Sequence, residues 1–351
     1  MMKQEAKTDI NQSTAGSNEI PAIEVKNLKK YFPLPTGLID TLLKREKKSV
    51  KAVDNISFSL KEGEILGLAG ESGSGKTTTG ELITQLQDPT EGDIIYQGNS
   101  LHKLGPKELK EFRKYCQMIF QDPYETLNPR FTIKRTIEEP LLINGWKSDS
   151  ARLNKVKEAL YRAELRPPEA YMNRFPHELS GGQRQRVAIA RGIVLDPRIL
   201  VADEPVSMLD VSIRAGILNL LKDFRDELGL SMLYISHDLS TMKYICDRTM
   251  IMYLGKAVEI GPTEKVIDKS VHPYTQALIS SVPIPDPDIE REGTKIKGEI
   301  PDQINLPQGC RFVPRCPDSE DQCHEREPEL VKVGENQDGE GHYAACIHAD
   351  A

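Results

Sequence analysis

Gly70-Glu-Ser-Gly-Ser-Gly-Lys-Thr77 organises the rest of the chain. It fits G-x-x-x-x-G-K-[ST], the phosphate-loop pattern, and it sits where that pattern is informative. Ahead of it runs Glu64-Ile-Leu-Gly-Leu-Ala69, an apolar run that reads as a buried strand. Behind it, Thr77-Thr-Thr-Gly-Glu-Leu-Ile-Thr84 can open a helix. A triphosphate needs many donors aimed at one small volume. Glycines let backbone N–H groups turn inward, and the helix N-terminus adds its positive end. Ser72, Gly73, Ser74, Gly75, Lys76, Thr77 and Thr78 are the expected nucleotide contacts, with Lys76 on the β- and γ-phosphates and the Thr77 hydroxyl on Mg²⁺. The plain alternative is a Gly-rich turn formed by chance. At average composition that match arises with a probability on the order of one per cent. The strand before and the helix after lower it further, so a nucleotide site is expected.

Composition bounds the rest. The 351 residues suffice for one large domain plus an appendage, or for two to three small ones. A hydrophobic content of 38% and a charged content of 28% are those of a soluble globular protein. A net charge of −7 and a pI near 5.7 argue against a broadly DNA-coating surface, while leaving room for a local basic patch. No apolar run approaches the roughly 18–20 residues needed to cross a bilayer. Residues 1–20 are polar, carry no secretory signal and are expected to be a disordered tail. Phosphate loop and free-looking cysteines both suit a reducing cytosol. No internal repeat is found.

Along the chain, Ile23-Glu-Val-Lys-Asn-Leu28 alternates as a half-exposed strand does, and Tyr31-Phe32 follows as an aromatic surface that could stack on an adenine ring or pack on the core. Residues 37–50 mix Lys44, Arg45, Lys47 and Lys48 with apolar residues, which reads as a solvated loop or short helix, with a membrane-proximal contact as the alternative. Residues 52–60 alternate as a strand that turns at Glu62-Gly63. Residues 88–93 form a turn cluster, 94–96 a short strand and 101–113 a helix. The strand Gln117–Phe120 delivers Gln121 to its end. From Tyr124 to about Phe175 the reading turns helical, with 150–165 apolar at i, i+3, i+4, the mark of a helical insertion in an α/β domain.

A second sharp motif is Leu179-Ser-Gly-Gly-Gln183, leading into an obvious helix from Arg184. Ser180 is a good N-cap, and Gly181 and Gly182 expose the first N–H groups, so this is a second anion-binding helix terminus. A flexible linker is the alternative, but that pentapeptide arises by chance in roughly one in some thousands of such chains. Arg198–Glu204 then reads as a buried strand ending in two carboxylates. Beside a phosphate loop, Asp203 would take the metal, directly or through water, and Glu204 would polarise an attacking water. Helix capping by Asp203 is the bland alternative. Ser207–Asp210 is a tight turn into the next helix, and Leu230–Ile235 is a buried strand ending at His237, placed to contact a γ-phosphate.

With these motifs in order, residues 23–261 resemble an ABC-type ATPase subunit: phosphate loop, Gln121, the Leu179–Gln183 signature, Asp203, Glu204, Asp210 and His237. The resemblance implies an α/β P-loop core with a mixed sheet and a helical subdomain. It implies a head-to-tail nucleotide sandwich in which Ser180 and Gly182 serve the facing subunit's ATP, with Gly181, Gln183 and Asp210 as further nucleotide-binding candidates. It implies that Gln121 senses the γ-phosphate through Mg²⁺ and water, and that Phe32, with Tyr31 the alternate, stacks on adenine. Met208 departs from the small residue usual in its turn, with little effect expected.

Phe120–Arg130, Ser212–Ala215, Met252–Gly255 and His272–Leu278 resemble more narrowly the dipeptide/oligopeptide permease ATPases, and the second of their paired subunits. This narrower resemblance implies a motor on the cytoplasmic face of the membrane. Its partners would be a second ATPase subunit, two transmembrane permease subunits and an extracellular solute-binding protein, with no nucleic acid. That branch also imports oligosaccharides and nickel complexes. A soluble ABC ATPase acting on nucleic acid or ribosomes, an exporter subunit and a non-hydrolysing scaffold are the competing classes. The single cassette without heptads, the tail and the intact Asp203, Glu204 and His237 speak against them in turn.

From Val282 the chain turns Pro-rich, a linker composition. Cys310, Cys316, Cys323 and Cys346 follow, with five, six and twenty-two intervening residues, unlike a zinc ribbon's paired C-x-x-C. Four thiolates can surround one soft metal centre. The permease resemblance implies a [4Fe–4S] cluster here. Zinc with His324, His342 or His348 as substitute ligands, two disulfides, or four plain thiols are the alternatives. The expected organisation is a tail (1–20), an ATPase domain (21–280, helical subdomain about 122–195) and a linker with a small cysteine domain (281–351). Cys116 and Cys246 read as core residues.

Overall fold

The structure is a computed structural model and describes residues 20–34, 48–281, 296–299 and 301–350. The expected tail before Ile20, most of the basic stretch 37–50 and the start of the Pro-rich linker lie outside these residues.

Twelve strands form two sheets among the described residues: β1 (Ile23–Pro33), β2 (Ser49–Leu60), β3 (Ile65–Ala69), β4 (Glu91–Tyr96), β5 (Asn99–Ser100), β6 (Cys116–Ile119), β7 (Ile199–Asp203), β8 (Ser231–Ser236), β9 (Arg248–Tyr253), β10 (Lys256–Pro262), β11 (Val331–Glu335) and β12 (Gly341–Ala344). β3, β7 and β8 are buried along their whole length, as apolar runs covered on both faces must be. They lie in an eight-stranded sheet of order β11-β12-β10-β9-β3-β8-β7-β6. The stretch from β6 to β9 is parallel and the remainder antiparallel. β1 and β2 alternate in burial and form a second, antiparallel sheet, β2-β1-β4-β5.

The parallel register decides where the chemistry sits. Ala69 stands beside Ser236, and Asp203 beside Ile235, so the C-terminal ends of β3, β7 and β8 align. β6 adds the end that leads to Gln121. Loops leaving these ends share one crevice, where α/β sheets bind ligands.

Between β6 and β7 the chain is helical, as its composition predicts. Ile133–Ile143, Asp149–Arg162 and Gly181–Ile193 meet on Ile137, Leu141, Val156, Leu160, Val187 and Ala190. Each buried Ile, Leu or Val here contributes about 1.5–3 kcal/mol. One expectation is corrected here. The helix expected over 101–113 is broken: Leu101–Lys103 is one 3₁₀ turn and the α-helix starts at Pro106. Proline disfavours helical conformation in the residue before it but suits the first helical position. The C-terminal segment packs onto the main sheet. β12 pairs with β10 (Glu259 with Ala344, Ile260 with Tyr343) and β11 closes the edge, so the tail completes the main sheet. A segment this short gains more by joining an existing core than by building one.

Candidate active site

The phosphate loop leaves β3 at Gly70 and enters the helix Lys76–Ile83. Gly75 precedes that helix in a left-handed conformation (φ 104°), and a Cβ there would lie 2.1 Å from the Ala52 carbonyl oxygen, so only glycine fits. Lys76 is buried, and its Nζ donates to the carbonyls of Gly70 (2.7 Å) and Glu71 (2.9 Å) at the head of the loop. Burial pulls its pKa below the ordinary lysine value, opposed by the charges of Glu204, Asp203 and Glu71. Ser72, Gly73 and Thr77 are exposed along the loop while Ser74 and Gly75 are buried beneath it.

Asp203, the last residue of β7, is only 2% exposed. Burial pushes its carboxyl up to about 6, opposed by a hydrogen bond from the Thr77 side chain. Its Oδ1 is buried without any partner. A carboxylate oxygen left bare in a protein interior costs a few kcal/mol unless something cationic completes it. Thr77 and Asp203 thus supply hard oxygen donors of the kind Mg²⁺ takes, and the donor set fits that ion.

Glu204 follows with φ +44°, a left-handed conformation rarely adopted outside glycine, and its N–H donates to the Ile235 carbonyl at 2.9 Å. That turn swings its carboxylate away from Asp203 and into the crevice. Gln121 Nε2 donates to Oε2 at 3.1 Å, and His237 Nδ1 lies 3.0 Å from Oε1. Gln121 and His237, from the ends of β6 and β8, thus meet on the carboxylate that follows β7, a pairing the sequence reading, which placed both on the γ-phosphate, did not foresee.

Ser180 caps the helix Gly181–Ile193: its Oγ accepts from Gln183 N–H (3.3 Å), and Gln183 Oε1 accepts from Ser180 N–H (3.0 Å). Asp210 opens the helix Val211–Leu228 with its side chain making no capping bond. Among the described residues no hydrogen bond joins Ser180, Gly181, Gly182, Gln183 or Asp210 to Lys76, Glu204 or His237. Phe32 is exposed at the end of β1, with Lys30 Nζ 5.2 Å from its ring centroid. Tyr31, the alternate, is half-buried, and its hydroxyl donates to Asp54 Oδ1 while its N–H donates to Thr90 Oγ1. Burial first, then this bond to Asp54, raises its phenol pKa.

The four C-terminal cysteines converge. Cys310, Cys316, Cys323 and Cys346 line one cavity of about 20 Å³ with His272 and His348, and none is in a disulfide. Burial, reinforced by the neighbouring thiols, pushes Cys310 up to about 11, and burial raises Cys316 and Cys346. No set of three or more His, Cys, Asp or Glu placed to hold a metal ion is found among the described residues. His342 is corrected as a substitute ligand, since its Nε2 pairs with buried Glu259 at 2.7 Å, and His324 does not line the cavity. Cys116 and Cys246 are buried, and burial raises both thiols. A larger cavity of about 660 Å³ lies between β2, β10 and the tail, and its Lys256 and Arg311 are paired with Asp54 and Glu327.

Sequence reasoning missed the outer support of the phosphate loop. Arg315 pairs with Glu71 (2.6 and 2.9 Å), Tyr274 Oη accepts from Glu71 N–H (2.8 Å), and Gln303 Nε2 donates to the Gly73 carbonyl (2.7 Å). These partners stand some two hundred residues or more from the loop in sequence, and no local pattern announces them.

The ABC transporter family profile matches residues 53–207, and the oligopeptide/dipeptide transporter C-terminal region matches 258–323. The dipeptide transport ATP-binding protein DppF of Haemophilus influenzae is 45% identical over 330 residues, covering 94% of this chain and 97% of that protein. The chain belongs to the ABC transporter family. Within it, the chain sits among the dipeptide/oligopeptide transport ATP-binding proteins and is an ATPase. The oligopeptide transport ATP-binding protein AppF of Bacillus subtilis is 44% identical over 333 residues, covering 94% and 98%. In solved structures, the ATP-binding cassette MJ0796 bound to ADP and Pi, a dimer, superposes with TM-score 0.59 at 31% identity over 69% of this ABC subunit and 98% of that chain. The cassette cbiO1 of Clostridium perfringens gives 0.60 at 25% identity over 72% and 93%. No helix among the described residues is long and apolar enough to cross a membrane.

Proposed function

We propose that this chain is the ATP-hydrolysing motor of a di- or oligopeptide importer, working at the cytoplasmic face of the membrane as a peripheral subunit. The observation that carries it is the Glu204 carboxylate, held by Gln121 and His237 beside buried Asp203 with its bare Oδ1. In this reading Phe32 stacks on adenine, Ser72 to Thr78 and Lys76 cradle the phosphates, and Thr77, Asp203 and Gln121 hold Mg²⁺. Bound there, Mg²⁺ neutralises charge on the phosphates. Glu204 takes the proton of the attacking water as its oxygen bonds to the γ-phosphorus, and His237 keeps the carboxylate oriented as the bond to the β-phosphate oxygen breaks. Ser180, Gly181, Gly182, Gln183 and Asp210, remote from their own crevice, serve the facing ATPase subunit, a paralogue in our reading. Two permease subunits and an extracellular binding protein complete the transporter, with no nucleic acid in its cycle.

We read the four cysteines as ligands of a [4Fe–4S] cluster rather than of zinc, as the permease resemblance implies. One zinc ion needs all its thiolates about 2.3 Å from a single point. A cluster takes each thiolate on a different iron, so the donors stand further apart around one cavity. Bound there, it would supply the positive charge that favours the thiolate forms of Cys310, Cys316 and Cys346, whose thiols burial raises.

Replacing Glu204 by Gln tests the carboxylate's role. Hydrolysis is expected to fall about 10²–10⁴-fold, the usual worth of a general base, while MgATP binding persists and a closed dimer accumulates on size exclusion. Hydrolysis at the wild-type rate in that variant contradicts the assignment.

A further inference from the structure

Arg315 sits between the cysteines and the nucleotide crevice and belongs to neither by sequence. It is 7% exposed, and its guanidinium meets Glu71 fork to fork, Nη1 on Oε2 at 2.6 Å and Nη2 on Oε1 at 2.9 Å. Such bidentate charged pairs fix direction as well as distance. The pairing, with Glu71 the largest cause, raises the Arg315 pKa above the ordinary arginine value. Behind the guanidinium, the Tyr253, Tyr274 and Phe312 rings pack on one another at 4.6, 5.3 and 5.4 Å, giving it a rigid backing.

Glu71 is the second residue of the phosphate loop and is held at three points. Its carboxylate is on Arg315, its N–H on the Tyr274 hydroxyl (2.8 Å), and its carbonyl on Lys76 Nζ (2.9 Å). The last bond matters most, because Lys76 is the residue that must reach phosphate. Two residues on, Gln303 holds the Gly73 carbonyl at 2.7 Å. A carboxylate beside a triphosphate is electrostatically adverse unless a cation neutralises it. Arg315 is that cation.

We propose that Arg315, carried by the cysteine-bearing C-terminal segment, is a positioning residue of the nucleotide site: it neutralises Glu71 and fixes the first turn of the phosphate loop, so that affinity for the triphosphate is set from the C-terminal region. The proposal rests on the nucleotide reading of the crevice. It assigns the tail a task that neither the phosphate loop nor the cysteines perform. Because Arg315 acts on phosphates and not on adenine, its removal selects between ligands. A residue that merely staples the fold would weaken all nucleotides alike.

The test is equilibrium binding of a non-hydrolysable ATP analogue and of AMP to the full-length chain, in wild type, Arg315→Gln, Arg315→Lys, the double variant Arg315→Gln/Glu71→Gln, and Gln303→Ala. The expected result is a loss of ten-fold or more in ATP-analogue affinity for Arg315→Gln, a smaller loss in AMP affinity, and partial recovery in Arg315→Lys and in the double variant. Gln303→Ala, which removes one neutral hydrogen bond from an exposed side chain, is expected to lose several-fold, and it stays informative if Arg315→Gln does not fold. Equal losses for the analogue and AMP in a folded Arg315→Gln, or wild-type affinity in both Arg315→Gln and Gln303→Ala, overturn the proposal. Failure of wild type itself to bind the analogue would instead overturn the nucleotide reading.

Discussion

The phosphate loop is held from two sides that are built in opposite ways. On the inner side β3 and β8 lie against it with Ile65, Leu66, Leu68, Leu233 and Ile235 fully buried, and contact there is apolar packing. On the outer side the tail grips the same region through charge. Arg315 meets Glu71, and Arg311 meets Asp54, the Leu254 carbonyl and Glu327. Packing tolerates trimming in proportion to the volume removed. A desolvated ion pair behaves otherwise, because removing one member strands the other in the interior. The inner wall therefore sets stability and the outer wall sets both stability and the loop's electrostatics.

Arg311→Ala sets the two sides against each other. Among the described residues Asp54 then keeps only Lys256, at 3.9 Å, and Tyr31 as side-chain partners, although it is buried. Burial opposes its ionisation, yet Tyr31, Lys256 and Arg311 together hold that carboxyl below the usual range. The expected cost is about 3–5 kcal/mol in urea unfolding, with weakened nucleotide binding in the molecules that remain folded. Leu233→Ala on the inner wall is expected to cost about 2–4 kcal/mol and to leave the nucleotide affinity of the folded fraction unchanged. If both variants weaken nucleotide binding equally, the two walls are not distinct.

A smaller effect belongs to the outer side alone. His272 is fully buried, its Nδ1 accepts from Tyr274 N–H at 3.0 Å, and burial pushes its pKa down to about 4, with Glu259 opposing. Between about pH 6.5 and 4 the unfolded chain binds a proton that the folded chain refuses, so stability falls as pH falls across that window. The loss reaches at most about 3 kcal/mol. His272→Asn keeps a side-chain acceptor at the helix start and is expected to flatten the pH dependence of the melting temperature over that window. An unchanged slope would mean that other groups carry the acid lability.

The two sides also differed in how far the sequence revealed them. Strands β3, β7 and β8 announce themselves as apolar runs, and the residues that end them are local in sequence, so Lys76, Asp203, Glu204 and His237 could be named before the fold was known. Gln121 and Ser180 followed from the same logic of strand ends and helix caps. The Glu71–Arg315 and Asp54–Arg311 pairs join residues 244 and 257 apart, and nothing in either neighbourhood specifies the other. The bond from the Tyr31 hydroxyl to Asp54 likewise joins residues of different strands, which no local pattern specifies. The tail's strands, β11 and β12, were hidden for a related reason: their apolar pattern is weak, and they become strands by pairing with β10.

On the proposed reading, hydrolysis at Glu204 moves peptide across a membrane. Its most direct measurement is accumulation of a labelled oligopeptide by proteoliposomes that carry this chain with its permease and ATPase partners, MgATP on the side of the ATPase and binding protein on the other. Accumulation with wild type and none with Glu204→Gln is the predicted result. Hydrolysis by the wild-type assembly without any peptide movement, or undiminished accumulation with Glu204→Gln, would contradict it.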